Sequence, residues 1–326
     1  TYYHLTTEHS IRRVLREPGA AAALLENSEE RQVSRVVPML RGRINHANTI
    51  AVAYSFTDVR FEETEVNDSK RDGVQLQYLR DVSPTLDVSV RVGRNNVDYT
   101  SSDDADYDET FINVGLNVEQ RFVAYALRVG TAEITPQVGE KEKSSTFDLR
   151  LTSDLAGNLF EVFGSRAISD SSLGNGNDSF FIEGASFDGG TGDRDQIVRT
   201  AAGLSWSYQY LCSRCALVAS VGQESSDYLT LSANDSEQRF VDISLGYQVN
   251  PRLDALFSYR NVDTDFTDPA ALQADATNVV SRIEFAYQVN RIFELSLQHE
   301  RDSRDTEGEG QATVATTGVS ATLRFE

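Results

Sequence analysis

Residues 279–302 read VVSRIEFAYQVNRIFELSLQHERD. In the first run Ser281, Ile283, Phe285, Tyr287 and Val289 share one parity, and Arg282, Glu284, Ala286 and Gln288 share the other. After Asn290-Arg291, Phe293, Leu295 and Leu297 alternate with Glu294, Ser296 and Gln298. Successive side chains of a strand point to opposite faces, so each run has one apolar and one polar face. Two such runs joined by a tight turn predict a β-hairpin. The same unit recurs from one end of the chain to the other, and that recurrence decides the fold.

Working outward, residues 1–9 read as a short first strand. Ile11–Glu30 reads as a polar connection with a helical turn over Ala20–Leu25. Arg31–Ile44 follows, with Arg35, Val37, Met39, Arg41 and Arg43 on one parity, and turns at Asn45–Asn48 into Thr49–Glu63. Gly73–Val82 turns at Ser83–Thr85 into Leu86–Tyr99, and Thr110–Val118 turns at Glu119-Gln120 into Arg121–Ile134. Thr146–Leu155 turns at Ala156–Asn158 into Leu159–Asp170, and Asp195–Leu211 turns at Cys212–Cys215 into Ala216–Tyr228. Ser236–Val249 turns at Asn250–Arg252 into Leu253–Phe266; the opening hairpin comes next and Thr313–Phe325 closes the series. Short turns alternate with longer polar connections such as Ser102–Glu109, Ser171–Arg194 and Thr267–Thr277.

These features predict one all-β domain over residues 1–326: a closed antiparallel transmembrane β-barrel of about sixteen strands. Loops sorted by length onto two ends are what outer-membrane barrels show, with short periplasmic turns and longer extracellular loops. The runs exceed the ~5–6 residues usual in soluble sheets and fit the ~9–11 that a tilted membrane strand needs. No stretch of ~20 apolar residues marks a membrane helix, which is no objection, because membrane strands alternate. Both ends should be periplasmic, which needs an even strand count. The chain does not begin with Met and shows no signal peptide, as expected of a processed chain. A formal net charge of −20 argues against nucleic acid as a partner.

In such a barrel the apolar parity faces lipid and the polar parity lines the lumen. Arg91, Arg128, Arg150, Arg199, Arg260 and Arg282 lie on the polar parity, as does Glu284, and all are expected to line the pore. The alternative is a soluble sandwich with these arginines in water, but sixteen strands would then leave many edges to protect. Tyr54, Phe56, Tyr78, Tyr125, Trp206, Tyr247, Tyr259 and Tyr287 lie on the apolar parity, where rings near strand ends favour the headgroup level. Arginine ladders in a lumen favour anions. Much of the opposing acid, including Asp103, Asp104, Asp106 and Asp108, falls in outer loops, whereas Asp87, Asp148 and Glu284 share the arginines' parity and partly offset them.

The last strand, TTGVSATLRF, resembles the C-terminal β-signal of outer-membrane proteins: Val319, Ala321, Leu323 and Phe325 alternate and end on an aromatic, here followed by Glu326. EHSIRRV, a polar loop and SRVVPMLRGRI, with Pro38 in the second strand, resemble the porin-like barrels encoded beside exopolysaccharide and exosortase gene clusters. His9-Ser10 stands where that family has Asp-Asn. The resemblance implies passage of polysaccharide across the outer membrane.

Cys212 and Cys215 flank a predicted periplasmic turn. In an oxidising compartment they suit a local disulfide; free thiols, a crosslink to a partner, or a redox or metal role are the alternatives. Asp188, Asp193 and Asp195, among glycines, offer oxygen ligands that suit Ca²⁺ without matching an EF-hand, the alternative being a plain outer loop. No other cofactor is expected. The same loop carries Phe180-Phe181-Ile182, which could fold into the lumen as a constriction. Four histidines (His4, His9, His46 and His299) and no nucleophile motif give no catalytic constellation, so an enzyme is not expected. The leading expectation is an outer-membrane channel for a polar, anionic solute such as an acidic polysaccharide or oligosaccharide. The alternative is a non-conducting barrel that anchors or sheathes a secreted component. Expected partners are outer-membrane lipid and lipopolysaccharide, with polysaccharide or a periplasmic or secreted protein besides.

Overall fold

Burial alternates along strands in the first half of the sheet, but the face that carries the apolar residues changes part-way up them. The computed structural model describes residues 2–15, 28–62, 65–100, 106–170, 196–208, 212–229, 235–267, 275–290, 293–306 and 310–323. They form β1 (Tyr2–Leu15), β2 (Ser28–Asn45), β3 (Asn48–Phe61), β4 (Ser69–Ser83), β5 (Leu86–Tyr99), β6 (Tyr107–Glu119), β7 (Val123–Pro136) and β8 (Glu142–Leu155). Then follow β9 (Asn158–Asp170), β10 (Gln196–Tyr208), β11 (Cys215–Tyr228), β12 (Ser236–Asn250), β13 (Leu253–Phe266), β14 (Ala276–Gln288), β15 (Phe293–Thr306) and β16 (Gly310–Leu323). One short 3₁₀ turn spans Glu65–Asn67. All sixteen strands lie in one sheet in chain order, and every neighbouring pair is antiparallel. Among the described residues no ladder joins β16 back to β1. The helical turn expected over Ala20–Leu25 lies outside the described residues.

The tight turns follow local chemistry. Ala156 (φ 52°) and Gly157 (φ 82°) are both left-handed, as the two central residues of a type I′ hairpin must be, and glycine accepts that conformation without strain. Elsewhere asparagine does the work. The Oδ1 atoms of Asn45, Asn250 and Asn290 accept the backbone N–H of Ala47, Arg252 and Phe293. At the opposite, long-loop end, aspartates stitch the rim. The Asp68 carboxylate accepts the N–H of Phe61 at 2.7 Å, and its carbonyl accepts the N–H of Thr100 from the next loop. Asp106 does the same with Tyr99 and Gln137, and Asp235 with Tyr228 and Thr267. Each of these aspartates closes its own loop and ties it to the neighbouring one.

The lower part of the sheet is sorted inside-out. On β3, Ile50, Val52, Tyr54 and Phe56 are 36–47% exposed, whereas Ala51, Ala53, Ser55 and Thr57 between them are at most 4% exposed. The buried face is the small and polar one, so the sheet curls with that face concave. Closer to the long loops the sorting reverses. On β3 the outward side becomes Asp58 and Arg60, paired at 2.8 Å, while inward Val59 and Phe61 are buried with Val33 of β2. On β5, outward Val88, Val90 and Val92 give way to Arg94, Asn96 and Asp98, and inward Arg91 and Asn95 give way to buried Val97 and Tyr99. On β7, outward Leu127 and Val129 give way to Thr131 and Glu133, and inward Arg128 to Ala132 and Ile134.

A physical reason is at hand. Where lipid lies outside, apolar side chains gain by facing out. Where water lies on both sides, they gain by meeting each other on the concave side. The strands, 13 to 18 residues long, therefore overrun the ~9–11 residues that span a bilayer, and their upper ends stand in water.

Candidate solute path

The six arginines expected in the lumen all belong to the concave parity, but the structure does not leave them as a bare cationic ladder. Arg128 lies 3.9 Å from Asp148, Arg150 3.6 Å from Glu161, and Arg260 3.6 Å from Asp242. Arg282 meets Glu284 at 2.5 Å, two residues along the same face of β14. Arg199 meets Glu224 across the β10–β11 ladder. Arg91 is buried at 3% exposure, next to Arg128 in the adjoining part of the wall. The partners Glu161, Glu224 and Asp242 were not singled out from the sequence. Naming them takes the cross-strand register, for example Ala201 opposite Glu224, which short turns could in principle have supplied.

Two arcs of the concave face differ in access. On β2–β5, Arg35, Ser55, Thr57, Arg71, Gln75, Arg91 and Asn95 are all buried. On β10–β15 the inward groups are open: Arg199 and Glu224 are about one-fifth exposed, Arg282 about one-third, and Arg260 more than half. There the wall forms a niche of about 260 Å³ where Ser220, Asp242, Ser258, Arg260, Arg282 and Glu300 meet the apolar side chains of Val218, Ile243 and Val280. It presents hydroxyls, carboxylates and guanidinium forks to one small space, a set suited to hydrogen-bonding a polar solute.

Three inward phenylalanines, which the alternation pattern hid among polar neighbours, lie across glycines of the next strand. A Cβ built on Gly93 falls 2.5 Å from Phe111, on Gly203 2.4 Å from Phe163, and on Gly222 2.6 Å from Phe240. These contacts require glycine, and they place flat rings against the wall, with the Arg260 guanidinium 5.9 Å above the Phe240 ring.

On the convex side Tyr78 donates to Asn48 at 2.5 Å and Trp206 to Asn158 at 3.1 Å, and Trp206 stacks with Tyr208. These rings sit near the short turns, with polar tips satisfied, where a lipid–water boundary favours them. Cys212 and Cys215 form a disulfide at the same end, and the N–H of Cys215 donates to the Cys212 carbonyl. Asp188, Asp193, Asp195 and the Phe180–Ile182 segment lie outside the described residues. Among the described residues no group of His, Cys, Asp and Glu side chains could hold a metal ion.

No protein-family model and no curated protein matches the chain. Solved structures do. The copper transporter OprC superposes with a TM-score of 0.57 at 12% identity, covering 97% of this chain and 61% of its own. A loop-deleted form of OmpT, an outer membrane protein of Vibrio cholerae, gives 0.51 at 10% identity, covering 98% and 99%. BauA, the ferric preacinetobactin receptor of Acinetobacter baumannii, gives 0.52 at 11% identity, covering 99% and 63%. This chain has the fold of the bacterial outer-membrane β-barrels. It spans about three-fifths of the length of OprC and BauA and nearly all of the OmpT variant. With its apolar convex belt and polar concave wall, this barrel fold belongs in the bacterial outer membrane.

Proposed function

We propose that the protein is an outer-membrane channel for small polar solutes. In this reading β16 meets β1 to close the barrel, short turns face the periplasm and long loops face outward. The convex belt contacts lipid, and the charged band above it lies at the level of lipopolysaccharide headgroups. The observation that carries the reading is the open polar wall of β10–β15, set behind a convex face built for lipid. Arginine on that wall is paired with carboxylate, and Asp254, Glu300 and Asp302 on the same parity add further acid, so selection rests on size and hydrogen bonding rather than on a preference for anions. An acidic saccharide is one solute of this kind: the saccharide is what the sequence resemblance implies, and its acidity rests on the arginine parity alone.

Conductance in planar bilayers tests the proposal. Stepwise openings with a reversal potential near zero in a salt gradient are expected. Arg128→Ser together with Arg282→Ser should move that potential toward cation preference, since Asp148 and Glu284 then stand uncompensated. The buried polar residues of β2–β5 favour a second reading, a filled barrel serving as an anchor for a secreted partner. Folded protein that inserts and stays electrically silent would select it.

A further inference from the structure

Two of the rings that lie across glycines belong to one row of the concave face. The ladders set Phe163 of β9 opposite Gly203 of β10, Gly203 opposite Gly222 of β11, and Gly222 opposite Phe240 of β12. A Cβ built on Gly203 would strike Cζ of Phe163, and one built on Gly222 would strike Cζ of Phe240. Phe163 thus leans over β10 and Phe240 leans over β11. Facing Cβ positions in such a ladder lie about 4.5–5.5 Å apart. The two ring tips therefore close on each other over a floor that carries no side chain. Both phenylalanines are only partly buried.

Polar groups frame this strip on both sides. Two residues along the strands in one direction, about 7 Å away, the next row holds Glu161, Ser205, Ser220 and Asp242. The row on the other side holds Ser165, Glu224 and Gln238. Glu161 holds Arg150 at 3.6 Å and Asp242 holds Arg260 at 3.6 Å, so ion pairs stand at the border with hydroxyls between them. The Arg260 guanidinium also lies 5.9 Å from the centre of the Phe240 ring, so that ring already offers a face to a partner on the lumen side. A flat apolar floor inside a hydrogen-bonding border fits a ligand of the same build.

We propose that the Phe163–Gly203–Gly222–Phe240 row is a stacking subsite for a solute ring with an apolar face and a hydrogen-bonding edge, as a sugar pyranose or a hydroxylated aromatic acid has. The solute ring lies on the two phenylalanines, while Ser205, Ser220 and the bordering ion pairs meet its polar edge. Packing alone would not need two converging rings. Phe111 lies across Gly93 in the same manner, but its row continues to Gln75 on one side and Ala132 on the other, so no second ring meets it. Phe111 packs instead against the buried cluster that holds Val97, Tyr107 and Ala132. The inference rests on the channel reading for the solute's route but not for the subsite itself.

Maltotriose and 4-hydroxybenzoate are the probes, titrated calorimetrically into the full chain in detergent, with block of single-channel current as a second readout. Saturable binding is expected, and the probe bound more tightly tells which kind of ring the subsite takes. Phe163→Leu with Phe240→Leu stays apolar but loses the flat rings, and should weaken that binding about tenfold. Either single substitution, which covers the case of a double variant that fails to fold, should weaken it roughly threefold. Phe111→Leu, which loses a ring of the same packing, should leave binding unchanged. No binding of either probe to the wild type, or equal weakening by Phe111→Leu, overturns the subsite. Binding that follows the expected pattern in a protein that passes no current keeps the subsite and sinks the channel reading. Open channels that bind neither probe do the reverse.

Discussion

The lipid face makes a sharp demand on β5. Val90 faces out, 37% exposed, and Asn96 faces out six residues further along the same strand. Val90 lies four residues from the strand start at Leu86, about 14 Å along the chain at ~3.4 Å per residue. A strand tilted ~40° converts that to about 10 Å of height, near the middle of an apolar band ~25 Å tall. Asn96, ten residues from Leu86, comes out at about 26 Å, at the upper edge of the band. Val90→Arg should therefore cost about 2–4 kcal/mol and Asn96→Arg about 0–1 kcal/mol. The assay is guanidinium unfolding and refolding in lipid vesicles, followed by fluorescence of Trp206, the chain's single tryptophan. Equal costs at the two positions, or a larger cost at Asn96, would falsify the assignment of a lipid belt that ends near Arg94.

Further outcomes can be read with the same unfolding assay. Gly93→Ala should cost about 1–3 kcal/mol, because its methyl group meets Phe111 and Gln75, and clearly less in a Phe111→Ala background. The Cys212–Cys215 disulfide closes a very short loop, so Cys212→Ser with Cys215→Ser should cost no more than about 2 kcal/mol, and the native protein should take up no alkylating agent before reduction. Burial pushes the Asp68 carboxyl above its usual range, outweighing the Phe61 N–H that pulls it down. A raised carboxyl favours the folded state while protonated, so this contribution is full below pH ~4 and fades as pH rises through the folded value. Asp68→Asn should remove that fall, and a difference between the two proteins that does not change from pH 4 upward would contradict it.

Much of the sheet was legible because lipid enforces strict alternation. Leu86–Tyr99 and Leu253–Phe266 come out with the boundaries the pattern gives. At the long-loop ends the strands run further than expected: β4 begins at Ser69 rather than Gly73, β8 at Glu142 rather than Thr146, and β1 continues to Leu15. The pattern failed there for a physical reason. Above the bilayer the apolar side moves inward, so Lys70, Arg71 and Asp72 read as loop although they continue the ladder. The arginine parity was legible as well. Its neutralisation was legible in part: Asp148 and Glu284 share the arginines' parity and do pair with Arg128 and Arg282, whereas Glu224 and Asp242 reach their partners from neighbouring strands, and register does not show in a single run. Nor was the burial of Ile168 and Val198 beside residues of β5–β7, because their parity points the other way until the β8–β9 ladder is seen to stop at Phe147 and Arg166.

Among the described residues every strand pairs only with its chain neighbours, and that bears on how the molecule is made. A growing sheet of this kind can enter the membrane one hairpin at a time, each new hairpin satisfying the edge left by the last and exposing one fresh edge. No step before the last needs distant segments to find each other. In the closed barrel proposed above, the last step would bring β16 onto β1, the two outer strands of a sheet already formed between them, so its cost lies in curving and aligning that sheet rather than in closing a flexible loop. Until then two unpaired edges stay in apolar surroundings, so the barrel's slowest and most assisted event should be its final seam.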